Sequence, residues 1–227
     1  MPYTWLFLDA DDTLFDYSKA EAGALSATFR DVALACPPDV LPAYQKYNQQ
    51  VWHEFELGQI SAVDLRVMRF ERLFAHLNLP VDAAAFSLRY LVNLARGYYL
   101  IDGAAELIQN LALRYRLGLI TNGLPEVQRP RLVGAGLAPY FAFVTISEEI
   151  GLAKPDPRFF AAALAQAGHP DPRSVLVIGD SLTSDIRGGI QSGLDTLWYN
   201  PTGKPADPRW PATYQAAQLA AIARLLL

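Results

Sequence analysis

The 227-residue sequence predicts an α/β fold, a Rossmann-like parallel sheet with helices on both faces, plus an inserted four-helix domain. Three observations carry this. Residues 3–8 (Tyr-Thr-Trp-Leu-Phe-Leu) form an apolar run with no charge before Asp9, the pattern of a strand buried on both faces. About eighty residues of helical pattern follow, far more than a single crossover helix needs. From Gly97 onward the pattern is strand–helix alternation, which implies parallel strands joined by crossovers. The expected division is a core of residues 1–15 and 98–227 and an inserted helical domain of residues 16–97.

In the inserted segment, Lys19–Ala35 is Ala-rich and stops at Cys36-Pro37-Pro38. Asp39 can cap a second helix running to about Phe55, closed by Leu57-Gly58-Gln59. Ser61, with Asp64 three residues on, opens a third at Ala62–Leu77, and Asp82 opens a fourth to Arg96. In the core, a helix after Asp102-Gly103 runs to Arg114, followed by a strand at Arg116–Thr121, a helix after Asn122-Gly123, and a strand at Phe141–Ile146. Asp156 caps a helix to Gly168 with Pro157 at its first position. Ser174–Gly179 is a strand, a helix runs to Ser192-Gly193, Thr196–Tyr199 is a strand, and Thr213–Ala217 is a last edge element before the terminal helix. Asn200–Pro211, with four prolines, reads as a rigid loop over the sheet end. Pro130 conflicts with the helix after Gly123, where an interior proline costs about 3 kcal/mol, so that helix either starts near Gln128 or kinks.

Composition narrows the class of function. With 52% hydrophobic and 19% charged residues the chain is an ordinary globular one rather than a disordered one. A net charge of −4 gives no basic footprint for a nucleic acid polymer or an anionic membrane, yet leaves room for a small phosphorylated substrate. Cys36 is the only cysteine, so no intrachain disulfide forms. No apolar run is long enough to span a membrane, and Met1-Pro2-Tyr3 leads into the first strand without a signal-like segment. The expectation is a soluble, cytoplasmic protein with no obligate protein partner.

Ligands of parallel sheets bind beyond the carboxyl ends of the strands, and Asp9, Thr121 and Asp180 all fall at such ends. Asp9, Asp11 and Asp12 crowd three like charges at the end of a buried strand, which calls for a cation, most simply a divalent metal. Asp9 and Asp11 project to one side of an extended segment, while Asp12 points away and is solvated or caps the next turn. A Ca2+ loop fails, because its required glycine and glutamate positions hold Leu14 and Ala20. Thr121-Asn122-Gly123 supplies a hydroxyl and flexible N–H groups, Lys154 a fixed cation, and Gly179-Asp180-Ser181-Leu-Thr-Ser-Asp185 two more carboxylates. Acids, a metal, a lysine and a hydroxyl together suit a phosphoryl group. Gly188-Gly189 and Gly193 lie late in a helix and lack the spacing of a dinucleotide fingerprint; His53, His76 and His169 have no ligand spacing; Cys36 reads as inert.

Asp9-x-Asp11-x-Thr13, Thr121, Lys154 and Gly179-Asp180-x4-Asp185 stand in the order and spacing of the haloacid dehalogenase superfamily, and the resemblance covers the whole chain, including a helical cap after the first motif. It implies that Asp9 is a nucleophile forming an aspartyl-phosphate and a ligand of Mg2+ (or Mn2+). It implies that Asp11 is the proton donor and acceptor, lending its backbone carbonyl to the metal, and that Asp180 is a metal ligand with Asp185 close behind. It further implies that Thr121 and Lys154 bind phosphate, helped by backbone N–H groups near Ala10 and Asn122. Asp11 argues against the dehalogenase branch, which carries a tyrosine there. Asp9-Ala-Asp11-Asp12-Thr-Leu-Phe, Asn48, Trp52, Phe55-Glu-Leu-Gly58, Arg69-Phe70-Glu71, Ile120-Thr-Asn-Gly123 and Ile146–Pro155 resemble the pyrimidine 5′-nucleotidase branch. The substrate expected from this is a nucleoside monophosphate, with Tyr47 and Trp52 forming a leaving-group pocket and Asn48 reading polar groups. Pro125 and Pro130 depart from that branch and leave the position of Gln128 open. A small-metabolite phosphatase (for phosphoglycolate or a sugar phosphate), a phosphomutase, and an inactive binding module are the alternatives.

Overall fold

In a computed structural model describing residues 2–227, the apolar run becomes a fully buried strand, β1 (Trp5–Leu8). Four helices follow: α1 (Tyr17–Asp31), α2 (Val40–Glu56), α3 (Ala62–Leu77) and α4 (Ala83–Ala95). Alternation then begins with α5 (Ala104–Ala112), β2 (Arg116–Thr121), α6 (Pro125–Gly134), β3 (Phe141–Ile146), α7 (Ser147–Ile150) and α8 (Pro157–Gln166). It ends with β4 (Val175–Gly179), α9 (Arg187–Gln191), β5 (Asp195–Tyr199), β6 (Tyr214–Ala216) and α10 (Leu219–Leu226). Two compact units result, Met1–Tyr17 with Tyr98–Leu227, and Ser18–Gly97.

The six strands form one parallel sheet in the order β3-β2-β1-β4-β5-β6. Period-two alternation sends successive side chains of β1 to opposite faces. Leu6 and Leu8 join Ile108, Leu111, Leu119, Ile178 and Ile222 in one apolar layer, against α5 and α10. Trp5 and Phe7 join Val175, Val177, Phe159 and Phe160 in the other, against α8. Each such large side chain, fully buried, stabilises the fold by roughly 1.5–3 kcal/mol. After β3 the chain crosses to the far side of β1, so winding reverses between β1 and β4. That reversal opens the crevice in which doubly wound sheets hold ligands, and Asp9 and Asp180 flank it. Where the chain leaves and re-enters this unit, the Asp16 N–H donates to Tyr99 O and the Ile101 N–H to Leu14 O, so the two passages run side by side.

The second unit is built on rings. Phe70 lies between Phe86 and Tyr90, both with centroids 5.1 Å away, and Phe86 meets Phe29 at 5.1 Å and Phe74 at 5.0 Å. Ser61 and Asp64 form a reciprocal capping box at the start of α3, and the Asp82 carboxylate caps α4 through Ala84 and Ala85 N–H. Two expectations fail here. The first helix ends at Asp31 rather than Ala35, because Ala33 takes a left-handed conformation (φ 56°) and the Leu34 N–H closes back on Phe29 O. Asp39 precedes α2 without capping it. In the first unit, α6 starts at Pro125 and continues through Pro130. Pro130 lies on the exposed side, where losing one N–H does least harm, while Val127, Gln128, Arg131 and Leu132 form the buried side. No helix among the described residues is long and apolar enough to cross a membrane.

Candidate active site

Asp9 ends β1 almost fully buried, its backbone N–H held by Ile178 O of β4. The Lys154 ammonium donates to Asp9 Oδ1 at 2.6 Å, to Asp185 Oδ1 at 2.7 Å and to Ile120 O at 3.0 Å, and the Thr13 hydroxyl donates to Asp9 Oδ2 at 3.1 Å. Lys154 is itself 1% exposed. Its backbone is clamped by Asn122, whose side-chain amide donates to Lys154 O and accepts from Lys154 N–H, both at 2.8 Å. The Asn122 side chain is therefore a brace for Lys154, which leaves its backbone N–H for any contact with phosphate. Thr121 is buried at the end of β2, beside this brace.

Asp185 reaches the same point from a π-helical turn, Leu182–Ile186, and accepts the Ser181 N–H at 3.1 Å. A Cβ on Gly179 would overlap the Asp185 carboxylate, so glycine at the end of β4 is what lets this acid tuck under the strand end. Carboxylate oxygens of Asp9, Asp180 and Asp185 lie within 4.8 Å of one another, an all-oxygen donor set suited to a hard divalent cation. The electrostatics fit such an ion. Burial pushes the Asp9 carboxyl well above the usual range; Lys154 pulls it down, and Asp185 and Asp180 push it further up. Asp180 is raised to about 7 by burial and by Asp185 and Asp12. Burial opposes the charge on Lys154, but Asp185 and Asp9 outweigh it and hold the ammonium above its ordinary value. Lys154 bonds to two of the three grouped carboxylates, Asp9 and Asp185, and the negative charge left over is what a divalent cation would offset.

Asp11 is held from α6. Its Oδ2 accepts from Gln128 Nε2 at 2.7 Å and its Oδ1 from an Arg131 guanidinium N–H at 2.5 Å. Neither Gln128 nor Arg131 was identifiable from the sequence, because Pro130 obscured the register of their helix. A helix begun at Pro125 places both on its inner side. Asp12 (φ 58°) is exposed and accepts the Tyr17 N–H at the start of α1. A further cation, Lys204, stands 4.0 Å from Asp180, its loop fixed by a two-way pairing of the Asn200 amide with the Lys204 backbone. The indole N–H of Trp198 holds Asp180 O at 2.8 Å.

Of the residues expected to read the substrate, Asn48 is spent inside the helical unit. Its amide donates to Glu21 Oε1 and accepts from an Arg69 N–H, both at 3.1 Å. Glu21 and Arg69 are buried charges, so the Asn48 amide is a bridge between them rather than an open recognition group. Tyr47 is half-buried against the His76 ring at 5.9 Å, and Trp52 is half-buried, edge-on to Phe55 at 5.8 Å.

The profile of the haloacid dehalogenase-like hydrolase family matches residues 3–193. The chain belongs to this family. It is accordingly an enzyme of the hydrolase class. YfnB of Bacillus subtilis is 36% identical over 224 residues, 99% of this chain and 95% of that one. The pyrimidine 5′-nucleotidase PynA of Streptococcus pneumoniae is 38% identical over 88% of this chain and 85% of its own. The pyrimidine 5′-nucleotidase YjjG of Escherichia coli is 34% identical over 100% and 99%. The crystal structure of magnesium-bound YfnB superposes with a TM-score of 0.91, covering 99% of this chain and 98% of that one.

Proposed function

We propose that this protein is a cytoplasmic, Mg2+-dependent phosphomonoesterase that works through an aspartyl-phosphate on Asp9 and acts on nucleoside 5′-monophosphates, with a preference for pyrimidines. The observation that carries the chemistry is the buried Asp9 carboxylate, bonded to Lys154 and grouped with Asp180 and Asp185. Asp9, Asp180, Asp185 and the backbone carbonyl of Asp11 would hold the ion; Mn2+, with a similar taste for oxygen ligands, would substitute. When bound, the cation neutralises phosphoryl oxygens and offsets the repulsion among the carboxylates.

Asp9 attacks phosphorus in line as the ester oxygen leaves. Lys154 and Thr121, with the backbone N–H groups of Ala10 and Asn122, hold the equatorial oxygens where charge develops. Asp11 gives its proton to the departing alcohol and later takes one from the water that frees phosphate from Asp9. Thr13, hydrogen-bonded to Asp9, steadies the nucleophile. The likeness to PynA and YjjG supports the choice of nucleotide. Tyr47 and Trp52 offer the flat, half-buried rings a pyrimidine would stack on, and the bridging geometry of Asn48 favours a supporting role. A cytoplasmic setting suits a chain whose one thiol, Cys36, is free and exposed.

Phosphate release from UMP, dUMP, dTMP, AMP, phosphoglycolate and hexose phosphates, with MgCl2 and with EDTA, tests this reading. Pyrimidine monophosphates should be the fastest and EDTA should abolish turnover. Equal rates on all esters would remove the nucleotidase assignment, and EDTA-insensitive turnover would remove the metal.

A further inference from the structure

Outside the acidic cluster, Gln128 and Arg131 converge on Asp11. Asp11 is 24% exposed in its side chain, at a turn beyond the strand end, where a carboxylate would ordinarily sample several rotamers. Here each oxygen has its own donor, Arg131 on Oδ1 and Gln128 on Oδ2. Both donors are themselves fixed. The Arg131 guanidinium is fully buried and stacks over the Phe15 ring at 4.5 Å. Gln128 is 2% exposed and lies against Gly123, where a Cβ would come within 2.7 Å of Nε2, so glycine leaves the room its amide occupies. A buried guanidinium adds little stability over an apolar side chain of similar volume. What the two donors have in common is the Asp11 carboxylate on which both converge. A carboxylate has about four lone-pair sites; with one on each oxygen occupied, those that remain point in fixed directions.

We propose that Gln128 and Arg131 are positioning residues for proton transfer, fixing the Asp11 carboxyl so that its proton can reach the leaving oxygen. The inference rests on the role of Asp11 proposed above. In the step concerned, the P–O bond to the leaving alcohol breaks, the bond from Asp9 to phosphorus forms, and the Asp11 O–H proton passes to the departing oxygen. The charge left on Asp11 then meets Arg131.

The test compares kcat/KM, which reports the reaction up to departure of the leaving group, for two kinds of ester. p-Nitrophenyl phosphate releases a stable anion that needs no proton; UMP (or glycerol 2-phosphate, if UMP is not turned over) releases an alkoxide that does. Arg131→Met and Gln128→Leu should each lower kcat/KM on the alkyl ester about 10–100-fold, a part of the roughly 100–10,000-fold that general acid catalysis supplies, and on p-nitrophenyl phosphate by less than about 3-fold. Arg131→Lys should recover part of the loss. The double variant Asp11→Asn/Arg131→Met should be no slower than Asp11→Asn within about 3-fold, because both changes act on one group. Equal losses on the two esters, or multiplicative losses in the double variant, would overturn the proposal. If Arg131→Met does not fold, Gln128→Leu and its double variant with Asp11→Asn are judged by the same criteria. If Asp11→Asn itself slows both esters equally, the proton-transfer role of Asp11 fails, and the proposal falls with it.

Discussion

Replacing Lys154 by Met keeps most of the side-chain volume and removes the ammonium that Asp9 and Asp185 share. Lys154 is 1% exposed and bonds to both acids within 2.7 Å, so the variant leaves two buried carboxylates facing each other without their common cation. Removing one partner from a buried ion pair destabilises by about 3–5 kcal/mol. For a chain of this size, at about 2–4 °C per kcal/mol, the melting temperature in EDTA should fall by about 6–20 °C. The loss should be smaller at pH 5 than at pH 8, since an orphaned carboxylate escapes its repulsion by taking up a proton. Mg2+ should restore much of it, because an ion at a hundred times its Kd contributes about 2.7 kcal/mol. The more negative cluster should bind Mg2+ more tightly than the wild type does, even as phosphate release falls at least about 100-fold. Differential scanning fluorimetry across pH and Mg2+ concentration, with a phosphate-release assay, reads all of this. A melting temperature within about 2 °C of wild type in EDTA, with unchanged Mg2+ affinity, would refute the charge-sharing account.

Two further outcomes follow from the same geometry. Asp180 and Asp9 titrate above their unfolded value of 3.8, Asp180 at about 7, so in the metal-free protein their contribution to stability is present below pH 4 and is lost as pH rises through 7. For Asp180 that amounts to of order 4 kcal/mol at 1.36 kcal/mol per unit. Stability in EDTA should therefore decline from pH 5 to pH 8, Mg2+ should remove the decline, and Mg2+ binding at pH 6 should release protons, visible as buffer-dependent heats in calorimetry; buffer-independent heats would contradict this. Asn48→Leu should cost about 1–3 kcal/mol by removing the amide that bridges Glu21 and Arg69, while kcat on p-nitrophenyl phosphate stays within about 3-fold; a raised KM for UMP with unchanged stability would make Asn48 a reader of substrate after all.

The strand ends were legible because folding alone gives no reason to end an apolar run in charges, as at Asp9 and Asp180, and Thr121 and Lys154 fell between them in one order along the chain. Asp9, Thr121, Lys154, Asp180 and Asp185 could be placed on that basis, and the sheet with them. Gln128 and Arg131 could not. Pro130 made the helix register ambiguous, and only a helix running from Pro125, with the proline turned outward, brings both residues to Asp11. Asn48 shows another limit. A polar residue on an amphipathic helix reads alike whether it lines a pocket or bridges two buried charges, and the difference lies in Glu21 and Arg69, which are far from it in sequence. Ala33 ends α1 in a conformation usually marked by glycine, so the sequence carries no stop signal before Cys36.

The central claim is that Asp9 carries the phosphoryl group, and Asp9→Asn tests it most directly, since amide and carboxylate are nearly isosteric. With Mg2+ present and the variant folded, phosphate release from UMP and from p-nitrophenyl phosphate should fall by at least about 1,000-fold. Turnover at the wild-type rate would contradict the account.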